Sequence, residues 1–190
     1  MAGRRAPSWA LAAVLALVWT ALVDAQTAPP PIPIGIGVDM LAGDWFEAAT
    51  SGSFALRRCL SDTRHHFARR SARTLEVHTA CASDRGVEYR RGFLSTPKAG
   101  DGRFSLRYAP LVLSWAPAAW SDFWVLDSAE GWLLVGDRRR RALAVLSRTV
   151  ALDESSLAAA MAAARARGFD PGLLRVVAHP SGATGIVARR

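Results

Sequence analysis

Between residues 43 and 149 the chain consists of short runs in which apolar and polar residues alternate, separated by clusters of turn-forming residues. This pattern restricts the fold more than any other feature. Strand side chains point to opposite faces in turn, so a period of two over short runs predicts half-buried strands and argues against a helical bundle. The runs place strands at 44–50, 60–67, 74–82, 86–95, 103–108 with a continuation to 115, 122–127, 132–137 and 142–149. Breakers stand between them: Ser83-Asp84-Arg85-Gly86, residues 97–102, Pro117, Ala129-Glu130-Gly131 and the four arginines at 138–141. Eight short strands at hairpin spacing predict an antiparallel meander that closes as a barrel or packs as a sandwich. Beyond it, Asp153 is a helix N-cap, Leu157, Ala160, Met161 and Ala164 share one helical face, and Gly168 ends the helix. Residues 173–178 read as a short ninth strand.

The two ends follow other rules. Arg4 and Arg5 precede an apolar run at 9–23, and Val23-Asp24-Ala25 supplies small residues where a signal peptidase reads them, which predicts cleavage between Ala25 and Gln26. The run is shorter than the roughly 20 residues a membrane-spanning helix needs. No cysteine near the cleavage point could carry a lipid. The mature chain is therefore expected in the periplasm or outside the cell. The division is a signal peptide at 1–25, a Pro/Gly-rich linker at 26–38 that runs extended, one domain at 39–181 and a flexible tail at 182–190.

The formal charge of the chain is +8, and all its basic residues but Lys98 are arginine. Apart from 138–141 the arginines are scattered, which speaks against nucleic acid as a partner and leaves a weak attraction to anionic membrane or ligand head groups. The two cysteines are Cys59 and Cys81. A hairpin of the second and third strands centred near Arg70 sets them opposite each other. An oxidising compartment then makes a cross-strand disulfide the default, with two free thiols as the alternative.

Three motifs occur in order. Gly43-Asp44-Trp45 opens the first strand within GDWFEA; Ser121-Asp122-Phe123-Trp124-Val125-Leu126-Asp127 forms the sixth; and Leu146-Ser147-Arg148-Thr149 closes the eighth. Together with Gly168-Phe169-Asp170 after the helix, they resemble the lipocalin family, and within it the bacterial and apolipoprotein D-like subgroup. The resemblance covers about residues 38 to 181. It implies an all-β fold: an eight-stranded antiparallel up-and-down barrel, or calyx, with one C-terminal helix outside and a short ninth strand. Gly43, Trp45, Asp122 and Arg148 are then structural signature residues, with Arg148 packed across the Trp45 indole at the closed end.

The resemblance also implies function: a small hydrophobic or amphipathic ligand of fatty acid or lysophospholipid type, held in the barrel without catalysis and without a cofactor. If Arg148 faces inward, alternation turns Leu146, Ala144 and Ala142 inward. The bacterial subgroup carries Tyr and Trp at the last two, so either the cavity is enlarged or another aromatic, among Trp115, Trp120 and Trp124, fills it. Phe104, Leu106 and Tyr108 form the apolar face of the fifth strand, while the fourth leaves Tyr89/Arg91/Phe93 and Arg90/Gly92/Leu94 as open alternatives. Cavity candidates are therefore Phe104, Leu106, Tyr108, Trp115, Trp124, Ala142, Ala144 and Leu146, and Glu47 is an inward acid read as a structural hydrogen-bonding group. Adjacent His65 and His66 point to opposite faces and cannot share a metal, and no nucleophile elbow or phosphate loop is present. A lipocalin-type enzyme with a cavity thiol, such as an isomerase, would need a free cysteine. A filled barrel acting through its surface is the other alternative.

Overall fold

The computed structural model describes residues 30–33, 35–52, 58–108 and 110–180. The signal peptide at 1–25, the start of the linker and the tail at 182–190 lie outside the described residues. Helix α1 spans Val38–Leu41. Strands β1 (Gly43–Thr50), β2 (Ser61–Ser71), β3 (Thr74–Ser83), β4 (Gly86–Ser95), β5 (Arg103–Arg107), β6 (Ser121–Ala129), β7 (Trp132–Gly136) and β8 (Leu143–Ser147) follow, then helix α2 (Glu154–Ala166) and β9 (Arg175–Val176). Neighbouring strands pair antiparallel in chain order from β2 to β8; β8 pairs with β1, and β1 returns to β2. The sheet thus closes into the eight-stranded barrel; the helix lies outside that ring, and the ninth strand is an addition to it that pairs with the mouth end of β1 where β1 has parted from β2.

Two ends are distinguished by chain direction. The floor holds the start of β1 and the turns after β2, β4 and β6. The mouth holds the loops after β1, β3, β5 and β7. Alternation decides what faces in. Trp45, Phe67, Leu75, Val77, Leu94, Phe104, Leu106, Phe123, Val125, Ala144 and Leu146 belong to one buried interior cluster. The intervening residues of β6–β8, among them Leu126, Leu134 and Val145, form a second cluster against α2 through Ala160 and Ala164. Alanines at these two positions let the helix lie close to the sheet. Asp153 caps it by accepting from the Ser156 amide at 2.8 Å, and the Ser155 hydroxyl, followed by that amide, holds its carboxyl well below the usual carboxylate range. At the other end Gly168 adopts φ +77°, and the Phe169 and Gly168 amides donate to the Ala164 and Arg165 carbonyls, a Schellman closure.

Several expectations change. The fifth strand stops at Arg107 instead of continuing to 115, because Pro110 has no amide to donate; Leu111–Leu113 and Pro117–Ala119 form 3₁₀ turns instead. The ninth strand shrinks to two residues, which pair with Ala49 and Thr50 of β1. The linker is not loose to its end: Ile36 and Val38 are buried in the interior cluster, and Ile36 bridges to Asp101. The disulfide between Cys59 and Cys81 is present, with Cα atoms 5.5 Å apart, but the hairpin register that suggested it is off. Pairs such as His65↔Thr79 and Phe67↔Val77 centre the hairpin on residue 72, not 70. A bulge between Ser61 and Arg64, where Asp62 has φ +53°, leaves Asp62 and Thr63 facing Cys81, and Cys59 reaches across from just before the strand. No helix among the described residues is long and apolar enough to cross a membrane.

Candidate functional site

The floor is sealed. α1 brings Leu41 beneath the barrel, and the Trp45 indole N–H donates to the Leu41 carbonyl at 2.7 Å. Arg148, just past β8, lies outside this plug rather than within the barrel. Its guanidinium sits 3.7 Å from the Trp45 ring centroid and donates to the carbonyls of Met40, Ala42 and Asp44. Desolvation lowers the Arg148 pKa, opposed by the Asp44 charge. Gly43 has φ +98°, and a Cβ there would stand 3.0 Å from the Arg148 Nη1, so no other residue fits without moving the arginine. Asp122 is remote from this seal. At the mouth end of β6 its carboxylate accepts from the Arg138 amide at 3.3 Å and pairs with the Arg138 side chain.

Above the floor the interior turns polar. Inward positions on β1, β2 and β3 become Glu47, Thr63, His65 and Thr79, all buried. His65 Nδ1 is 2.9 Å from the Thr79 hydroxyl, which lies 2.7 Å from the Tyr108 hydroxyl. Burial, reinforced by the Glu47 carboxylate and opposed by the Thr79 hydrogen bond, holds the Tyr108 proton well above the usual tyrosine range. Tyr108 owes its place to Gly92, where a Cβ would come within 2.7 Å of the tyrosine ring. That contact and buried Leu94 settle the open question on β4: Arg90, Gly92 and Leu94 form the inward set. His65 Nε2 is 3.6 Å from Glu47 Oε2, and Glu47 Oε1 is buried with no hydrogen-bond partner. Leaving such an acceptor unpaired costs about 1–3 kcal/mol.

Beside it in the mouth half is a cavity of about 530 Å³, whose lining includes Glu47, Thr63, Cys59, Ala142 and Arg175 as well as the apolar Leu60, Val176 and Val177. Its volume falls in the range of small-molecule pockets. The segment 175–179 helps to shape it. Beyond Phe46, β1 parts from β2, and β9 enters between them: the Val177 amide donates to Ala48, the Asp62 amide to Ala178, and His179 Nε2 stands 3.1 Å from the Glu47 carbonyl.

The sequence-based candidates divide accordingly. Ala142 lines the cavity, and Tyr108 belongs to the polar network that Glu47 borders. Ala144 and Leu146 face inward below it, and Phe104 and Leu106 are packed in the filled lower interior. Trp115 and Trp124 are corrections. Trp115 is 80 % exposed on the loop after β5, because the chain turns there instead of extending. Trp124 lies between inward Phe123 and Val125, so its ring points outward to the helix side, with the Arg103 guanidinium 5.6 Å from its centroid. Trp120 does not fill the gap either; it covers Arg107 on the outer wall. Glu47, Thr63, His65 and Thr79 are the site residues that sequence reasoning passed over or misjudged. A carboxylate and an imidazole at inward positions of a strand were the available signal. Among the described residues no group of three potential metal ligands comes together.

The rim of the mouth is basic and apolar. Arg138, Arg139 and Arg141 border a second depression of about 550 Å³ with Trp120 and Asp122. Leu60, Val87, Val112 and Trp115 are each more than 70 % exposed on the mouth loops or strand ends.

The family model described as "Lipocalin-like domain" matches residues 36–179. No curated protein sequence matches the chain at a significant level. Among solved structures, lobster apocrustacyanin A1 superposes with a TM-score of 0.57 at 13% identity, over 80% of this chain and 91% of that one. The cockroach allergen Per a 4 gives 0.58 at 12%, over 80% and 95%. The siderocalin Ex-FABP, described as functioning through dual ligand specificities, gives 0.53 at 15%, over 73% and 94%. At these identities the likeness is one of fold.

Proposed function

The chain belongs to the lipocalin-like family, and from that premise we propose that it is an exported, non-catalytic carrier or scavenger of a small amphipath of fatty acid or lysophospholipid type. The observation that carries this reading is the cavity of about 530 Å³ in the mouth half, above an interior closed by Trp45 and Phe67. Ala142 in its wall agrees with an enlarged cavity, the GDWFEA and DFWVLD strands with the bacterial and apolipoprotein D-like subgroup, and the disulfide with an oxidising, extracellular or periplasmic compartment. A cavity thiol of the isomerase type is unsupported, since both cysteines of the chain are bonded to each other.

Exposed Val112 and Trp115, at the same end of the barrel as Arg138, Arg139 and Arg141, suit exchange with an anionic bilayer: apolar side chains enter the interface while guanidinium groups meet phosphate. Flotation with vesicles containing phosphatidylglycerol tests this, with binding expected there and not with phosphatidylcholine alone.

Native mass spectrometry of the purified mature protein, followed by organic extraction, tests the carrier reading. One lipid per chain is the expected result. An empty protein that takes up neither fatty acid nor lysophospholipid overturns it in favour of a filled barrel acting through its surface.

A further inference from the structure

We propose that Tyr89 is a nucleophilic phenol, set up by His78 and Glu76, that takes the acyl group of an activated carboxylic ester in a single turnover. The site lies on the outer wall of β3 and β4, apart from the cavity, and is independent of the carrier reading.

The period of two along each strand builds it. Glu76 and His78 follow each other on the outer face of β3, and Tyr89 and Arg91 on that of β4; His78 pairs with Arg91, and Ala80 with Tyr89. Each β4 side chain reaches diagonally across the ladder. Arg91 donates to Glu76, and the Tyr89 hydroxyl meets His78 Nδ1. His78 Nε2 is 3.0 Å from Glu76 Oε1. Burial opposes the charge on Glu76, but hydrogen bonds from Arg91 and Arg70 outweigh it and hold the carboxyl below its usual value. An ionised carboxylate only accepts, so the proton of the neutral His78 ring sits on Nε2, and Nδ1 is left to accept from the phenol. From β2, His66 faces the same ring with centroids 6.4 Å apart, its own Nδ1 held by Asp44 of β1.

Carboxylate, imidazole and hydroxyl thus stand in the order that activates a nucleophile. The hydroxyl end is open to solvent: Tyr89 is 48 % exposed, whereas Glu76 is 1 %. Burial holds the proton of the only other tyrosine, Tyr108, well above the usual range. In the reaction the phenol oxygen bonds to the acyl carbon while its proton passes to His78 Nδ1. The bond to the leaving group breaks with its electron pair, and the imidazolium then gives the proton to water. An aryl ester of Tyr89 remains, so one acyl group is taken per chain.

The test treats the folded, disulfide-bonded protein with p-nitrophenyl acetate and reads p-nitrophenolate release together with peptide mass spectrometry. A burst approaching one equivalent is expected, with the acetyl group on Tyr89 ahead of exposed Lys98, the sole lysine. His78→Gln keeps an acceptor but no base, and should slow labelling of Tyr89 roughly a hundredfold, the low end for a positioned base. In that variant and in Glu76→Gln, labelling should become fast only at higher pH, because the phenol then ionises with less help. A merely structural loss would leave that onset in place. No acetylation of Tyr89, acetylation of Lys98 ahead of it, or an unchanged Tyr89 rate in His78→Gln overturns the inference. The order of labelling in the wild type decides the matter even where a variant folds poorly.

Discussion

Around Trp45 and Phe67 the barrel is filled by rings and branched side chains, whereas one turn of alternation further along the same strands it presents Glu47, Thr63 and His65. The change repeats from strand to strand. On β3 Leu75 and Val77 give way to Thr79; on β5 Phe104 and Leu106 lead to Tyr108; on β8 Leu146 leads to Ala144 and then Ala142. The floor half gains its stability from apolar burial and from a cation–π seal over three carbonyls. The mouth half gives up part of that burial for a cavity and for polar groups whose partners run out at Glu47. The lesson is a division of labour along one set of strands, with register alone deciding which residue serves which half.

Four variants would break or sharpen this contrast. The largest effect is expected at the floor: Trp45→Ala removes a buried indole and strands Arg148, costing about 3–5 kcal/mol in urea unfolding. At the mouth, replacing Cys59 and Cys81 together by serine frees a loop spanning 22 positions and should cost about 3 kcal/mol on the chain-entropy account, with β2 loosened near the cavity.

A third effect belongs to the outer wall. Glu76 is buried beneath Arg91 and Arg70, with His78 Nε2 at 3.0 Å. Burial raises its pKa, but the hydrogen bonds and charges of Arg91 and Arg70 outweigh burial and leave it below the usual carboxylate value. A depressed folded-state pKa adds stability above the unfolded value of about 4.3 and loses it as pH falls through the folded value. Glu76→Gln should therefore flatten the acid limb of the stability profile. Because both arginines are more than half exposed, the cost at neutral pH is about 1 kcal/mol. The smallest stability change is expected for Ala142→Trp, about 1 kcal/mol or less, yet the indole enters the cavity and should abolish lipid uptake in a dye-displacement assay. Unchanged uptake in that variant would place the ligand elsewhere.

The barrel was legible in the sequence because its evidence is local: alternation, turn residues and the capped helix each need only their own neighbours. Gly43, Trp45 and Arg148 were legible as a set through the motifs that carry them. What escaped depended on contacts between distant segments. The two proline-interrupted turns after Arg107 exposed Trp115, and one phase of alternation turned Trp124 outward. The hairpin turns between Ser71 and Thr74 rather than at Arg70, and the bulge at Asp62 shifts the pairing by one more residue, yet Cys59 still reaches Cys81. The cavity itself was hidden because its wall includes β9, whose place between β1 and β2 no periodicity encodes. Glu47 was visible as an inward acid, but that its Oε1 is left unpartnered depends on neighbours across β2 and β3 that periodicity does not place.

Hydrogen exchange of the backbone amides, followed with and without saturating lysophosphatidylcholine, tests the division between the two halves most directly. The account predicts slower exchange on binding in segments 58–65, 137–144 and 175–179, with the floor segments 41–46 and 73–77 unchanged. Protection centred on the floor segments, or saturation without any protection at the mouth, would contradict it.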